Sequence, residues 1–447
     1  MTTDYNAIFK AYDIRGTVGD QLDADGARAI GGAFARFVAV PGISAVLVGR
    51  DMRPEGEELA AAFSDGVMDH GLDVVDVGLC ATDMLYYASG SLGLPGAVFT
   101  ASHNPAGYNG IKMCGPGAAP ISSDTGLVAI KAMAVAGPDP APIRGDRTRR
   151  DVLDGYVTHV RSFVNLDSLV PLRVVADTAN GMGGLVVPAV FDGLPFVLDH
   201  LFPELDGTFP NHPADPLRPE NQRDLRNRVL ATGADVGMAF DGDADRMFLV
   251  DENARPVSGS LTTAIIARSI LERDPGAVVI HNLICSRAVP EVIAEGGGTA
   301  VRTRVGHSFI KQAMAETGAV FGGEHSGHYY FRDNYRADSG LIAALVVLEA
   351  LSHHRAGLSD LVSGLERYAA SGELNTAVED APAVIQRVAA AYPDAIQDRL
   401  DGLTVNMGDW WFNLRPSNTE PLLRLNLEAS TPEEVQHRVA EVQALMT

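Results

Sequence analysis

The alternation of strand-like and helix-like segments up to about residue 370 is the feature that most constrains the fold of this chain. Strands are predicted where short β-rich runs are bounded by Gly or Pro, at 43–48, 96–100, 172–176, 235–240, 247–250 and 277–281. Helices are predicted where apolar residues recur at helical spacing, including 26–39, 56–68 and 287–295. Such alternation is typical of α/β layers.

The C-terminal part of the chain follows a different pattern. Helices are predicted at 381–391 and 432–446, and strands at 409–414 and 421–427, which indicates a small α+β unit. A chain of 447 residues is too long for one hydrophobic core, so three or four domains are expected. Candidate linkers are 137–142, 251–259 and, more weakly, a break near Gly372.

Composition and charge argue against several classes of function. The formal net charge is −22, from 35 basic and 57 acidic residues, which argues against nucleic acid or an anionic membrane as a partner. Residues 1–10 lack the pattern of a signal peptide, and the longest apolar run, 341–348, suits a buried helix rather than a membrane span. Cys80, Cys114 and Cys285 are widely spaced, which favours reduced thiols in a cytoplasmic protein.

A serine lies in a polar loop directly after a predicted strand. The motif TASHNP at 100–105 places Ser102 at a sheet edge, where α/β proteins bind ligands. The neighbouring Gly and Asn residues let the backbone bend and present N–H groups. Ser102 is therefore either a phosphoryl carrier or part of a simple capped turn. The GxSxG motif of a hydrolase nucleophile is absent.

Three carboxylates follow another predicted strand. Asp241, Asp243 and Asp245 alternate in the motif DGDADR, and Arg246 completes it. Together with Glu252 they match EF-hand ligand positions, but Arg246 stands where that loop needs Gly, and the flanking segments are predicted strands rather than helices. Alternate carboxylates can converge on a Mg²⁺ ion that also binds phosphate. A solvated acidic hairpin is the alternative.

Two further loops are rich in polar side chains. The motif GGEHSGH at 322–328 offers a Glu and two His for sugar hydroxyls or proton transfer, with a plain turn or a zinc site as alternatives. The motif RPSNTE at 415–420 is a compact anion receptor or a hairpin turn. The presence of one such loop in each predicted domain is stronger evidence than any loop alone.

These four motifs, with FKAYDIRG at 9–16, resemble the active-site segments of the α-D-phosphohexomutases, most closely the bacterial phosphomannomutase/phosphoglucomutase branch. The resemblance implies an α/β protein of three similar domains with mixed sheets and a C-terminal α+β domain that can rotate, arranged around a central cleft. The implied domains are 1–147 with the serine loop, 148–254 with the metal loop, 255–370 with the sugar loop, and 371–447 with the phosphate loop.

The resemblance also implies a role for each matching residue. Ser102 would be the phosphoserine, and one of its phosphate oxygens would join Asp241, Asp243 and Asp245 around Mg²⁺. The catalytic positions would be Ser102, His103, Lys112, Arg246, His328 and Arg15. The substrate-binding positions would be Tyr12, His307, Glu324, Ser326, His328, Arg415, Ser417, Asn418 and Thr419.

The implied activity is the interconversion of mannose 6-phosphate and mannose 1-phosphate, and of the corresponding glucose phosphates. It would proceed through phosphoserine and a hexose 1,6-bisphosphate, which also serves as activator. His328 or Lys112 would carry the proton, while His103 would orient the phosphate. The partners would be small hexose phosphates, with neither nucleic acid nor membrane, and the chain would be a monomer or a homodimer.

Two differences from the family pattern bear on the substrate. Phosphoglucosamine mutases typically have Gln and Gly where this chain has His325 and Asn418, so the motifs resemble the mannose/glucose enzymes more closely. Phosphoglucosamine mutase activity is the alternative. The branch often has a Lys near 282–287, where this chain has none. Either Arg287 or another cation replaces it, or the substrate preference differs. A Mg²⁺-dependent sugar phosphatase and a non-catalytic sugar-phosphate sensor are the remaining alternatives.

Overall fold

The computed structural model describes residues 3–417 and 422–446. Within them the helices are α1 (Tyr5–Ile8), α2 (Ala24–Val38), α3 (Gly56–Asp69), α4 (Thr82–Leu92), α5 (Val128–Ala136), α6 (Leu153–Arg161), α7 (Gly183–Phe191), α8 (Arg223–Thr232), α9 (Gly259–Arg273), α10 (Ala288–Glu295), α11 (His307–Thr317), α12 (Gly340–His354), α13 (Leu358–Ser363), α14 (Ala381–Ala391) and α15 (Pro432–Met446).

The strands follow the same chain order. They are β1 (Ile14–Thr17), β2 (Ala45–Arg50), β3 (Asp73–Leu79), β4 (Gly96–Phe99), β5 (Tyr108–Gly115), β6 (Ala119–Pro120), β7 (Arg147–Arg149), β8 (Arg173–Asp177), β9 (Val197–Leu201), β10 (Val236–Phe240), β11 (Met247–Asp251), β12 (Pro256–Val257), β13 (Val278–Asn282), β14 (Thr299–Thr303), β15 (Phe321–Gly323), β16 (Tyr329–Phe331), β17 (Ala369–Ala377), β18 (Ile396–Asp398), β19 (Leu403–Asn406), β20 (Trp411–Pro416) and β21 (Leu422–Ala429).

The chain divides into two compact units. Unit 1 comprises Met1–Val257 and Ser326–Ser359, and unit 2 comprises Ser258–His325 and Asp360–Thr447. Unit 1 contains the serine loop at 100–107 and the acidic loop at 241–246. Unit 2 contains Glu324 and the described part of the 415–420 segment. Each unit therefore holds a separate part of the predicted site.

Unit 1 contains two mixed sheets. The first has the strand order β1-β5-β4-β2-β3-β7, with β6 beside β5, and the second has the order β12-β11-β10-β8-β9. The central strand of the first sheet, β2, is apolar and buried because helices cover both of its faces. The α2 helix begins where the Asp23 carboxylate accepts a hydrogen bond from the Gly26 N–H at 2.8 Å, a typical N-cap.

Unit 2 combines a parallel α/β layer with an antiparallel one. Strand β13 pairs in parallel with β14 and β15, and α9 contacts both β15 and α10. The C-terminal sheet has the order β17-β21-β20-β19-β18 and is antiparallel throughout. Helices α14 and α15 pack against one of its faces. The predicted α/β class is thus confirmed, as is the α+β character of the C-terminal part.

Two of the predicted chain breaks, near Gly372 and at 251–259, stay predictions. Gly372 lies inside β17, where its φ of 66° accompanies a register shift between Ala370 and Glu373. A glycine suits such a β-bulge because it adopts the left-handed backbone at little cost. The region 251–259 contains the turn into β12, which pairs with β11, and the first residue of α9. The chain passes from unit 1 to unit 2 within this region, between Val257 and Ser258. The residue boundaries of the four domains stay predictions.

The remaining global expectations concern cysteines and the membrane. Cys80, Cys114 and Cys285 are all buried, and no disulfide joins these three described residues. The apolar run at 341–348 lies within α12, where every residue of that run is buried. Across the part of the chain that the structure describes, no helix combines the length and apolar character needed to cross a bilayer.

Candidate active site

Ser102 lies where the chain turns out of β4. Its backbone φ is 48°, a left-handed conformation that is costly for a residue with a Cβ. The Ser102 N–H donates to Thr100 Oγ1 at 2.9 Å, and the residue is only 3% exposed. The surrounding structure must therefore hold this conformation in place.

The guanidinium of Arg53 binds the backbone of the serine loop. It donates hydrogen bonds to four backbone carbonyls of that loop and its exit into β5. The acceptors are the oxygens of Ser102 at 3.0 Å, Asn104 at 2.7 Å, Pro105 at 2.9 Å and Tyr108 at 2.9 Å. Arg53 is itself buried and lies 3.3 Å from the carboxylate of Asp51, at the end of β2. One side chain thus fixes the shape of the loop that presents Ser102.

Replacing Arg53 with lysine is expected to lower kcat by about 100-fold while KM stays within about threefold of wild type. The single ammonium group of lysine cannot reach all four carbonyl oxygens, so the loop would relax and Ser102 would shift. Steady-state kinetics of the purified variant test this. Arg50→Lys is the matched control, since Arg50 is the last residue of β2, three residues before Arg53, and pairs with the exposed Glu57. Wild-type kcat in Arg53→Lys would contradict the positioning role.

The acidic loop is the turn of a hairpin between β10 and β11. Phe240 pairs with Met247, so the six intervening residues project as one compact loop. Asp241, Asp243 and Asp245 are all buried, at 0%, 0% and 2% exposure. Burying three carboxylates together is costly unless cations neutralise them.

The acidic loop and the serine loop are in direct contact. Ser102 Oγ donates to Asp241 Oδ2 at 2.7 Å, and Arg246 Nη2 donates to Ser102 Oγ at 3.2 Å. A Cβ on Gly242 would lie 2.3 Å from the Ser102 carbonyl oxygen, which explains why the second position of the DGDADR motif is a glycine here. The predicted proximity of residue 102 to the three aspartates is present in unit 1.

The three aspartates fit a hard divalent cation. One oxygen from each lies within 4.8 Å of the others. The Oδ1 atoms of Asp243 and Asp245 are buried and have no hydrogen-bond partner among residues 3–417 and 422–446. A bound cation would give these two oxygens a partner. A donor set made only of carboxylates suits Mg²⁺.

Two cations adjoin the carboxylates. Lys112 Nζ, from β5, donates to Asp243 Oδ2 at 2.6 Å and to Asp245 Oδ2 at 2.5 Å, and Arg246 Nε donates to Asp241 Oδ2 at 2.8 Å. Burial alone would lower the pKa of Lys112, but Asp243 and Asp245 outweigh it and hold that pKa well above its ordinary value. Lys112 therefore remains a cation at neutral pH.

His103 and Asp241 have shifted pKa values. The charge of Arg246, together with burial, lowers the pKa of His103 well below its ordinary value, so this imidazole is neutral. Arg246 also contacts His103 Nδ1. Burial raises the pKa of Asp241 to about 7, although Arg246 acts against it. Because Ser102 Oγ donates to Asp241, that carboxylate is placed to receive the serine proton.

His328, Ser326 and Arg15 join this group in unit 1. His328 Nδ1 lies 3.0 Å from Ser326 Oγ, and His328 Nε2 lies 3.9 Å from both Asp245 Oδ1 and Asp338 Oδ2. Arg15 donates to the Ala101 carbonyl at 3.2 Å and to Asn104 Oδ1 at 2.6 Å. Tyr12 is half-buried in the turn before β1.

A buried polar layer supports the acidic loop. Thr82, the first residue of α4, donates from Oγ1 to Asp243 Oδ2 at 2.6 Å. Its neighbour Asp83 accepts hydrogen bonds from Tyr156 Oη and Ser339 Oγ, both at 2.6 Å. Burial raises the pKa of Asp83 from 3.8 to about 7, despite these two donors.

The Asp83 shift predicts a pH-dependent stability. Because its folded-state pKa exceeds its unfolded value, the folded protein binds an extra proton between these values, and this stabilising contribution is lost as the pH rises toward 7. Asp83→Asn removes the titration. The melting temperature of the variant should therefore rise relative to wild type by on the order of 3 °C from about pH 5 to about pH 8. A difference in melting temperature between Asp83→Asn and wild type that stays constant from about pH 5 to about pH 8 would contradict the raised pKa of Asp83.

In unit 2, Glu324 is one of the predicted sugar-binding residues. It is 2% exposed, and its Oε1 accepts from Asn282 Nδ2 at 3.1 Å and from the Gly306 N–H at 3.2 Å. His307 follows Gly306 as the first residue of α11. Burial lowers the pKa of the adjacent His325 to about 4, so it is a neutral side chain. Asn282 Nδ2 lies 3.3 Å from His325 Nδ1.

A second arginine, which sequence reasoning missed, adjoins the 415–420 segment. Arg415 on β20 lies directly opposite Arg424 on β21, and Arg424 Nη2 lies 3.4 Å from Ser417 Oγ. The predicted positions Asn418 and Thr419 lie outside the described residues. The signal available in the sequence was the position of Arg424 in the strand that follows the RPSNTE motif.

Arg287 is the predicted candidate to replace the missing lysine. Its guanidinium donates to the Gly408 carbonyl and to Asn406 Oδ1, and it lies over the Tyr368 ring at 5.9 Å. These contacts engage it with the C-terminal sheet rather than with Glu324. In this chain the buried Asn282 contacts Glu324 from the segment 282–287.

Comparison with known proteins identifies the family of the chain. Four phosphoglucomutase/phosphomannomutase models match in order: α/β/α domain I at 6–135, domain II at 154–255, domain III at 258–368 and the C-terminal domain at 373–445. A phosphomannomutase of Salmonella typhimurium is 41% identical over 436 residues, and a protein of Xanthomonas campestris described as phosphohexose mutases is 42% identical over 426, each match covering 94% of both chains.

Solved structures show the same likeness. A phosphoglucomutase/phosphomannomutase family protein from Burkholderia thailandensis superposes with a TM-score of 0.89 at 35% identity, covering 99% of this chain and 98% of that one. The fold and site thus define an enzyme of the phosphohexomutase class. The chain belongs to the phosphoglucomutase/phosphomannomutase family, as its motifs predicted.

Proposed function

We propose that this enzyme interconverts the 6-phosphate and 1-phosphate of mannose, and those of glucose, through a phosphoserine at Ser102 and a hexose 1,6-bisphosphate. The contact between Ser102 Oγ and the acidic loop carries the proposal: a nearly buried hydroxyl lies 2.7 Å from one of three clustered aspartates and 3.2 Å from Arg246. The relatives named as phosphomannomutases support the choice of substrate.

In the first transfer, a substrate hydroxyl attacks the phosphoryl group on Ser102, and the bond from phosphorus to Oγ breaks. Lys112 and Arg246 neutralise the charge on the transferring group, and Arg53 and Arg15 keep the serine loop in position. Mg²⁺, held by Asp241, Asp243 and Asp245, would supply further charge neutralisation when bound. Such a transfer depends on positioning and electrostatics more than on covalent help.

In the second transfer, Ser102 Oγ attacks the other phosphate of the bisphosphate, and the sugar oxygen leaves. Asp241 Oδ2 is the acceptor within reach of the serine proton. His328 is the stronger candidate for the proton at the sugar oxygen, because Lys112 is held in its charged form by Asp243 and Asp245. Both transfers use the same groups because the reaction returns the phosphoryl group to its starting residue.

In unit 2, Glu324 would accept hydrogen bonds from sugar hydroxyls, and His307 would be a second sugar-binding position. In unit 1, the sugar-binding positions would be Ser326 and His328. Arg415, Ser417 and the newly found Arg424 would bind the phosphate that is not transferred, together with Asn418 and Thr419. Arginines match phosphate geometry through paired N–H donors.

One assay tests the proposed activity. Mannose 1-phosphate and glucose 1-phosphate are supplied separately, with Mg²⁺ and a hexose 1,6-bisphosphate activator, and kcat/KM is measured for each. The proposal expects both 6-phosphates to form, without free phosphate. Net release of inorganic phosphate would indicate a sugar phosphatase, and turnover of only glucosamine phosphate would indicate a phosphoglucosamine mutase.

A further inference from the structure

Arg415 and Arg424 share one carboxylate in unit 2. Glu373 Oε2 accepts a hydrogen bond from Arg415 Nη2, and Glu373 Oε1 accepts one from Arg424 Nη1, both at 3.0 Å. The three residues lie on the adjacent strands β17, β21 and β20. Glu373 is paired with Asn426, two residues from Arg424, so all three side chains are on the same face of the sheet.

The two guanidinium groups keep donors that Glu373 does not use. The Nε atoms of Arg415 and Arg424 are buried and have no hydrogen-bond partner in the described ranges 3–417 and 422–446. The three side chains carry a net charge of +1, and all are partly accessible, with side-chain exposures of 10%, 29% and 23% for Arg415, Arg424 and Glu373. The arrangement is therefore able to accept an anion besides the carboxylate.

We propose that Glu373 is a positioning residue whose carboxylate pairs with Arg415 and Arg424 when no substrate phosphate is bound. In the empty enzyme its carboxylate holds Arg415 and Arg424 in the geometry that a phosphate needs. When phosphate binds, Glu373 competes with it for the same N–H donors and weakens its binding. This inference rests on the proposed role of the 415–420 segment as the phosphate receptor.

The reaction gives a physical reason for such competition. The receptor must bind one phosphate of the substrate, release it while the bisphosphate reorients, and bind the other. Binding that is equally tight in every state lowers KM without raising kcat and slows release. A carboxylate that pairs with the arginines as phosphate leaves lowers the cost of exposing two unpaired guanidinium groups.

If Glu373 competes with phosphate, Glu373→Gln should strengthen phosphate binding, although it removes a side chain that contacts both arginines. The substitution raises the charge of the group from +1 to +2, so a phosphate dianion is expected to bind about fivefold more tightly. In steady-state assays KM and kcat should both fall, because binding strengthens and reorientation slows. If Glu373 served only as scaffold, its loss would loosen the arginines, and KM would rise instead.

Calorimetric titration with glucose 6-phosphate measures the affinity directly. It is done in full-length Ser102→Ala protein, where no turnover obscures binding. Glu379→Gln is the control, since it removes the same charge from an exposed position on the chain following β17, and it should leave the affinity within about twofold. Glu373→Ala is the second variant and should also tighten binding. Weaker or unchanged affinity in both variants, or failure of both to fold, would overturn the inference.

Arg415→Met separates this inference from the function on which it rests. If Arg415→Met abolishes glucose 6-phosphate binding while Glu373→Gln leaves it unchanged, the receptor stands and the role of Glu373 is refuted. If Arg415→Met has no effect on binding, the receptor assignment itself is refuted, and the inference with it.

Discussion

Replacing Ser102 with alanine is expected to lower kcat by at least about 1,000-fold while leaving hexose-phosphate affinity within about threefold of wild type. The hydroxyl is the only part of the residue that the substitution removes, and it is the atom that contacts Asp241 and Arg246. The left-handed backbone of the loop is held by Arg53 through carbonyl oxygens, which alanine retains. The loss should therefore be chemical rather than structural.

The matched control is Ser44→Ala, at an exposed serine in the same domain. It should leave both kcat and affinity unchanged. Circular dichroism and the melting temperature of Ser102→Ala would verify that the fold survives. Mutase turnover by Ser102→Ala at more than a tenth of the wild-type rate would refute the nucleophile assignment.

The second large effect is expected from Gly242→Ala. The new Cβ would lie 2.3 Å from the carbonyl oxygen of Ser102, and the obstructing atom is backbone, so no side-chain rotation relieves the clash. The acidic loop must then move away from the serine loop. We expect kcat to fall by at least about 100-fold, with a loss of about 1–3 kcal/mol in stability.

A second glycine provides the control for Gly242→Ala. A Cβ at Gly364 has no heavy atom within 4 Å in the described part of the chain, and its φ is not left-handed, so Gly364→Ala should behave as wild type. A Gly242→Ala enzyme with wild-type kcat and a wild-type requirement for Mg²⁺ would show that the close approach of the two loops is not needed.

The sequence predicted the α/β organisation and the two loops that carry Ser102 and the aspartates because those signals were local, whereas the roles of Lys112 and His328 followed from the family resemblance. A strand followed by a polar loop marked Ser102, and alternate aspartates before another strand marked the acidic loop. The structure places these loops together, with Lys112 and Arg246 beside the carboxylates. Side chains that act within their own motif are visible in sequence because spacing alone sets their geometry.

Residues that act across the fold were not predictable in this way. Arg53 contacts the serine loop at Ser102, 49 residues away in the chain. Thr82 contacts the acidic loop at Asp243, 161 residues away. Arg424 and Glu373 meet only because β17, β21 and β20 are neighbours. The strand order creates these contacts, and no local pattern specifies it.

The most direct test of the account is to locate the phosphoryl group. The purified enzyme is incubated with glucose 1,6-bisphosphate and Mg²⁺, digested, and the peptide containing Ser102 is sequenced by mass spectrometry. A single phosphate on Ser102 that disappears when mannose 6-phosphate is added, with bisphosphate formed in equal amount, is the predicted result. Phosphate on another residue, or a Ser102 phosphate that the sugar does not discharge, would contradict the account.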